Sequence, residues 1–94
     1  MRENLPQILA ALEDPSPRVR QVAVESFQNL GTEAATFVPQ LLPRLHDEDK
    51  DVRLAVVDLL GQIGSPDVMP HIVDALKDAN EWVRIRAIEA LGLH

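Results

Sequence analysis

Three aspartate–arginine pairs recur along the chain with a common spacing of six residues. The pairs are Asp14 with Arg20, Asp47 with Arg53, and Asp78 with Arg84. A guanidinium beside a carboxylate can bind an anion or orient a reacting group, because it offers a planar fork of donors. The same donors also form charge-assisted bonds that hold two segments together. A catalytic, an anion-binding and a structural role are therefore all open for these pairs.

A second set of equivalent positions is acidic. Glu25, Asp58 and Glu89 align with one another, on the side opposite the residues predicted for the core, such as Val19 and Ala23. Apolar residues precede two of these acids by one helical turn, at Leu54 and Ile85. An apolar residue in a polar column needs a reason. The column is either an ordinary solvated helix face or a site for a basic or amphipathic segment.

Trp82 stands where the other aligned segments have Arg18 and Asp51. Tryptophan is favoured at binding hot spots. Because Trp82 lies at the start of the last predicted helix, it would equally well shield the exposed end of the helix stack from solvent. We therefore count Trp82 among the binding candidates and keep both interpretations.

No catalytic or cofactor-binding constellation is found in the sequence. His46, His71 and His94 occupy non-equivalent positions, whereas a metal site needs at least three convergent ligands. There is no cysteine, no Gly-rich phosphate loop and no nucleophile elbow. We therefore expect no enzyme activity, no bound metal and no cofactor.

An internal repeat positions all of these residues. Segments that begin at Leu5, Val38 and Met69 align with offsets of 33 and then 31 residues. Each segment has apolar residues at i, i+3, i+4 and i+7 both before and after a polar break, which is the pattern of two amphipathic helices joined by a turn. Gly31, Gly64 and Gly92 fall near the ends of the second helices, where glycine supplies a left-handed cap. Pro43 lies inside a first helix and is expected to bend it or delay its start.

The order of proline, apolar helix, Asp, Val-Arg and then alanine, leucine and glycine resembles HEAT repeats, particularly the short repeats of bilin-lyase-like proteins. The resemblance covers residues 5–94. It implies an all-α fold, a right-handed α-α superhelix (solenoid) of three helix-turn-helix repeats with about six helices. We expect one domain over residues 1–94, with repeats at 4–36, 37–67 and 68–94.

The resemblance also implies roles for both sets of residues. In HEAT-like proteins the matching aspartates and arginines form a ladder between the turns of adjacent repeats, which favours the structural role for the six paired residues. The second helices of such solenoids line the concave surface. The acidic column and Trp82 would then lie on a binding face.

Composition and charge narrow the choice of partner. The net charge is −6, and such a surface repels a phosphate backbone, so nucleic acid is not expected as a partner. No apolar run approaches the roughly 18 residues needed to span a bilayer, so no membrane contact is expected. The absence of cysteine gives no sign of an oxidising compartment, and we expect a cytoplasmic protein.

The two ends of the predicted stack differ. If residues 22, 26 and 30 and their counterparts face the next repeat, then Arg86, Ala90 and His94 form a partial polar cap at the C-terminal end. The first repeat has no evident polar cover. The chain is then either a fragment of a longer solenoid or forms a homodimer through its first repeat.

The sequence therefore predicts a non-catalytic protein-protein interaction module with an acidic, partly apolar concave face. Its expected partner is a protein with a basic or amphipathic segment. The candidate binding residues are Glu25, Leu54, Asp58, Trp82, Ile85 and Glu89. The alternatives are an accessory or regulatory subunit of a bilin-lyase-like or other enzyme, and a fragment of a larger HEAT-repeat protein.

Overall fold

The computed structural model describes residues 4–92, which are predominantly helical. The α-helices are α1 (Leu5–Ala11), α2 (Pro17–Ser26), α3 (Val38–Leu41), α4 (Lys50–Ile63), α5 (Met69–Ala75) and α6 (Glu81–Gly92). Two segments of 3-10 helix, Phe27–Phe37 and Leu42–His46, flank α3. No strand occurs within the described residues. The predicted all-α helical repeat solenoid is confirmed. About six helices were expected, but α3 has only four residues, so five α-helices of seven or more residues are found among the described residues.

The second helices of the repeats stand side by side, with α4 in the middle. Helix α4 packs against α2 on one side and against α6 on the other, and α1 and α5 pack against α2 and α6. Val57 and Leu60 on α4 are fully buried, as are Val24 on α2 and Val83 on α6. The core therefore runs continuously through the stack.

A side chain caps the start of each second helix. Ser16 Oγ accepts a hydrogen bond from the Val19 backbone N–H before α2 (3.4 Å). Asp49 Oδ1 accepts from the backbone N–H of Asp51 before α4 (2.8 Å), and Asn80 Oδ1 accepts from that of Trp82 before α6 (2.8 Å). These caps satisfy N–H groups that have no partner within a helix. They fix where the second helices begin.

Proline and glycine interrupt the helices at defined points. Helix α3 ends at Leu41, and a 3-10 segment that contains Pro43 follows it, because proline cannot continue the α-helical hydrogen bonding. Gly64 ends α4 in the left-handed conformation predicted for it (φ 64°, ψ 10°). Gly31 also has a positive φ, but its ψ of −130° makes it a kink inside a 3-10 segment instead of a left-handed cap.

Two predictions about the ends of the stack are wrong. Val19 was expected in the core but is 40% exposed, because no described helix precedes the α1–α2 pair. The expected C-terminal cap faces the other way: Arg86 binds Asp58 on α4, and a Cβ added to Gly61 on α4 would lie 3.0 Å from Ala90 Cβ. This column of α6 therefore contacts the preceding repeat. His94, the third residue of the expected cap, lies outside the described residues.

Candidate functional site

The first aspartate–arginine contact joins the turn of one repeat to the turn of the next. Arg20 Nε donates to Asp47 Oδ2 at 2.8 Å, and Arg20 Nη2 donates to Asp47 Oδ1 at 3.1 Å. Arg20 Nη1 donates to the backbone oxygen of Asp14 at 2.7 Å. The side chains of Arg20 and Asp47 are only 7% and 2% exposed. Arg20 thus binds the backbone of its own turn and the carboxylate of the following turn.

The second contact repeats this geometry with more solvent around it. Arg53 donates from Nε and Nη2 to the Asp78 carboxylate at 2.9 and 3.2 Å. Its Nη1 donates to the backbone oxygen of Asp47 at 2.7 Å. The two side chains are 16% and 11% exposed. The pair is again bidentate, which is the strong geometry for an arginine and a carboxylate.

The remaining two of the six residues lie at the ends of this series. Arg84 Nη1 donates to the backbone oxygen of Asp78 at 2.7 Å, but among residues 4–92 no carboxylate bridges to its guanidinium. The Asp14 carboxylate accepts a hydrogen bond from the Ser16 backbone N–H at 2.9 Å and receives no arginine within the same range. Arg20 and Arg53 therefore each pair with the aspartate of the next repeat, not with the one six residues earlier.

The buried pair is electrostatically satisfied. Burial by itself raises the pKa of Asp47, but the hydrogen bonds from Arg20 and from the backbone N–H of Asp49, with the charges of Arg20 and Arg44, outweigh it and hold that pKa below its ordinary value. The hydrogen bond to Asp47 raises the pKa of Arg20. A guanidinium held this way has few donors left for an external anion. The contact is suited to joining repeats.

A groove runs between α4 and α6 on the side of the second helices. Its wider part, of about 460 Å³, is lined by Asp58, Gly61, Gln62, Arg86, Glu89 and Ala90. Its narrower part, of about 260 Å³, is lined by Lys50, Asp51, Leu54, Asn80, Trp82 and Arg86. Arg86 belongs to both parts, so we treat them as one surface, the α4–α6 groove.

Arg86 divides the acidic column expected from the sequence. Its Nη1 donates to both carboxylate oxygens of Asp58, at 2.5 and 2.6 Å, and its Nε lies 3.4 Å from Glu89 Oε1. The hydrogen bond to Asp58 raises the pKa of Arg86. The Arg86 and Asp58 side chains are 40% and 30% exposed. The column is therefore a solvated cluster of mixed charge, because the guanidinium of Arg86 lies between the carboxylates of Asp58 and Glu89.

Trp82 and Leu54 supply the apolar part of the groove. Trp82 is 61% exposed, and its backbone is held by the Asn80 side chain at the start of α6. Leu54 is half-buried on α4 and packs against the core. Because Trp82 shares its cavity with α4 residues, it lies over the junction of two repeats.

The other two candidates lie apart from this groove. Glu25 is exposed on α2 and accepts a hydrogen bond from Gln21 Nε2 at 3.2 Å. Ile85 is 40% exposed on α6 but is not among the residues that line the groove. The structure thus brings together Leu54, Asp58, Trp82 and Glu89. It adds Arg86, whose signal in the sequence is a single basic residue in a column that otherwise holds Val22 and Ala55.

No group of three or more histidines, aspartates or glutamates among residues 4–92 is placed to hold a metal ion.

None of the helices in the described part of the chain has both the length and the apolar character that crossing a bilayer requires.

The stacked helix pairs and the arginine–aspartate contacts between successive turns define a helical repeat protein. A family model described as HEAT repeats matches residues 38–93, and a model described as HEAT repeat matches residues 5–33. The chain therefore belongs to the HEAT-repeat family. No curated protein matches its sequence. HEAT repeats generally serve as scaffolds for protein interactions and are generally non-catalytic.

Proposed function

We propose that this chain is a non-catalytic protein-interaction module whose α4–α6 groove binds a basic, amphipathic segment of a partner protein. The observation that carries the proposal is the position of the exposed Trp82 in the same groove as the solvated Asp58–Arg86–Glu89 cluster. One surface thereby offers an apolar anchor and negatively charged groups.

The apolar half of the contact would come from Trp82. A tryptophan that becomes buried contributes on the order of 150–250 Å² of contact and retains a ring N–H donor. Trp82 is 61% exposed, so much of its side chain remains available, and Leu54 lies beside it in the same cavity. An amphipathic helix would place its apolar side chains here and its cations further along the groove.

The polar half of the contact would come from the two carboxylates around Arg86. The Asp58–Arg86 pair is partly exposed, and such pairs contribute on the order of 0–1 kcal/mol to stability, so rearranging this one costs little. A lysine or arginine of the partner can then share Asp58 and Glu89 with Arg86. The net charge of −6 would also accelerate the encounter with a basic partner.

Intrinsic fluorescence tests the proposal directly, because Trp82 is the only tryptophan and there is no tyrosine. The probe is a synthetic amphipathic helical peptide with leucines on one face and lysines on the other. Its control has glutamate in place of each lysine. We expect the lysine peptide to shift the Trp82 emission to shorter wavelength and the glutamate peptide to leave it unchanged.

Matched variants locate the binding surface. The double variant Asp58→Asn, Glu89→Gln should weaken binding of the lysine peptide by about tenfold or more, because it removes both negative charges and leaves neutral amide oxygens as acceptors. Glu25→Gln, which changes an exposed acid outside the groove, should leave the affinity unchanged. Equal affinity for all three proteins, or equal binding of both peptides, would overturn the groove proposal.

Three finer expectations remain proposals. A homodimer through the first repeat is supported by Val19 and Val22, which are 40% and 57% exposed at that end. A cytoplasmic location is supported by the absence of cysteine. A role as an accessory subunit of an enzyme would use the same groove, with the enzyme as the partner.

A further inference from the structure

Within residues 4–92, the first and last helix pairs leave two faces uncovered, and these faces match each other. The N-terminal face consists of Val19 and Val22 with the carboxylate of Asp14. The C-terminal face consists of Val73 and Ile88 with the guanidinium of Arg84. All four apolar residues are among the exposed large hydrophobic residues of the structure, at 40–61%.

Two of these apolar residues, Ile88 and Val19, occupy positions that are fully buried elsewhere in the stack. Ile88 is equivalent to Val24 and Val57 in the repeat alignment, and both of those are 0% exposed. Val19 is equivalent to Val52 and Val83, which are likewise 0% exposed. Each face therefore exposes a residue whose equivalents are fully buried inside the stack.

Arg84 is already held in the position that its equivalents use for pairing. Its Nη1 donates to the backbone oxygen of Asp78 at 2.7 Å. Arg20 and Arg53 donate to the corresponding oxygens, those of Asp14 and Asp47, at the same distance. In both of these the remaining donors bind the aspartate of the following turn. Arg84 lacks only such an aspartate within the described residues.

Asp14 is held in the matching position at the other end. Its Oδ1 accepts the backbone N–H of Ser16 at 2.9 Å. Asp47 and Asp78 accept the equivalent N–H at 2.9 Å in their own turns while they also bind an arginine. The Asp14 carboxylate is therefore fixed in the geometry that receives a bidentate guanidinium.

We propose that the C-terminal face of one copy binds the N-terminal face of a second copy, with Arg84 of the first paired to Asp14 of the second. The contact would continue the Arg–Asp series and the apolar packing across the boundary between chains. It is heterologous, so each copy retains one free face and further copies can add. It differs from a homodimer through the first repeat, in which the N-terminal faces of two copies contact each other and Arg84 and Ile88 stay uncovered.

The test is the mass of the full chain in solution, measured by light scattering over a concentration series. Ile88→Lys blocks only the C-terminal face, and Val22→Lys blocks only the N-terminal face. Both residues are strongly exposed, at 61% and 57%, so neither change disturbs the core. We expect the unaltered chain to grow in mass with concentration, and each variant alone to remain a monomer.

Mixing the two variants distinguishes the proposed contact from the alternatives. An equimolar mixture should form a dimer that grows no further, because the free N-terminal face of Ile88→Lys meets the free C-terminal face of Val22→Lys. A monomeric mixture overturns the proposal, as does an unaltered chain that stays monomeric throughout the series. A dimer formed by Ile88→Lys alone also overturns it, in favour of the homodimer through the first repeat.

The ion pair has its own control. Asp14→Asn keeps an oxygen for the Ser16 backbone N–H but removes the negative charge, and we expect it to weaken self-association by about tenfold. Asp67→Asn, a change at an exposed acid in the turn before α5, should have no effect. Equal self-association by these two variants would contradict the pairing of Arg84 with Asp14. Peptide binding in the α4–α6 groove is independent of all these outcomes.

Discussion

Of the three arginine–aspartate pairs that join neighbouring repeats, Arg20–Asp47 and Arg86–Asp58 differ most in their surroundings. Arg20 and Asp47 are 7% and 2% exposed, and Asp47 also accepts hydrogen bonds from Arg44 and from the backbone N–H of Asp49. Arg86 and Asp58 are 40% and 30% exposed, and Arg86 also approaches Glu89. The same two residue types therefore occur once as a closed buried network and once as an open solvated cluster.

The difference indicates which pair holds the fold and which can respond to a partner. Removing one member of a buried pair leaves an uncompensated charge away from water, which costs several kcal/mol. Solvent replaces most of what is lost at an exposed pair. We therefore assign the Arg20–Asp47 contact to stability and the Arg86–Asp58 contact to the proposed binding groove.

The largest effect is expected from Arg20→Met. The change leaves the Asp47 carboxylate buried without its bidentate partner, and Arg44 offsets only part of the loss. We expect the free energy of unfolding to fall by about 3 kcal/mol in urea denaturation. Arg18→Met, at an exposed position on the same helix, is the control and should change it by less than about 0.5 kcal/mol.

A smaller loss in the free energy of unfolding is expected at the contact between Arg53 and Asp78, whose side chains are 16% and 11% exposed. Asp78→Asn keeps the acceptor for the Asn80 backbone N–H but removes the charge that faces Arg53. We expect a loss of about 2 kcal/mol in the same denaturation experiment. A loss larger than that of Arg20→Met would break the proposed link between burial and stability. Asp74→Asn, at an exposed position on α5, is the matched control.

The effect of pH should come largely from Asp47. Its pKa in the folded protein lies below the ordinary value of about 3.9. A carboxyl of this kind contributes stability that is fully present above the ordinary pKa and is lost as the pH falls through the folded-state pKa. We expect the free energy of unfolding to decrease below about pH 4. Asp47→Asn should be less stable at neutral pH but should show a flatter decrease, and an unchanged slope would count against this assignment.

The smallest effect on stability is expected from Asp58→Asn. Because the Asp58–Arg86 pair is partly exposed, the loss should stay below about 1 kcal/mol. The same change should measurably lower the affinity for the lysine peptide in the Trp82 fluorescence titration. A loss of stability as large as that of Arg20→Met would place this pair in the structural class and remove it from the proposed binding site.

Much of the fold could be predicted because the repeat encodes it locally. The apolar residues at helical spacing in the second repeat include Leu45, Val52 and Leu60, and all three are buried. The polar breaks between paired helices are turns in the structure, and Gly64 has the left-handed conformation predicted for a C-cap. These features depend on short stretches of sequence, so periodicity and turn chemistry were sufficient.

The features that could not be predicted depend on how helices stack. Periodicity shows that Arg86 shares a face with Ala90, but it does not show whether that face contacts the preceding or the following repeat. The net charge of the groove depends on which repeat this face contacts. Arg86 can bind Asp58 only if its face of α6 contacts the preceding repeat. Val19 was misplaced for a related reason: its equivalents Val52 and Val83 are fully buried, whereas Val19 has no helix pair before it among the described residues.

Double-mutant cycles on the two pairs test the central claim most directly. Single and double substitutions, Arg20→Met with Asp47→Asn and Arg86→Met with Asp58→Asn, would be compared by urea denaturation at neutral pH. The cycle isolates the coupling energy of each pair from the other effects of the substitutions. We expect a coupling energy of about 2 kcal/mol or more for Arg20–Asp47 and below about 1 kcal/mol for Arg86–Asp58. Equal coupling energies would contradict the division between a pair that holds the fold and a pair that serves the groove.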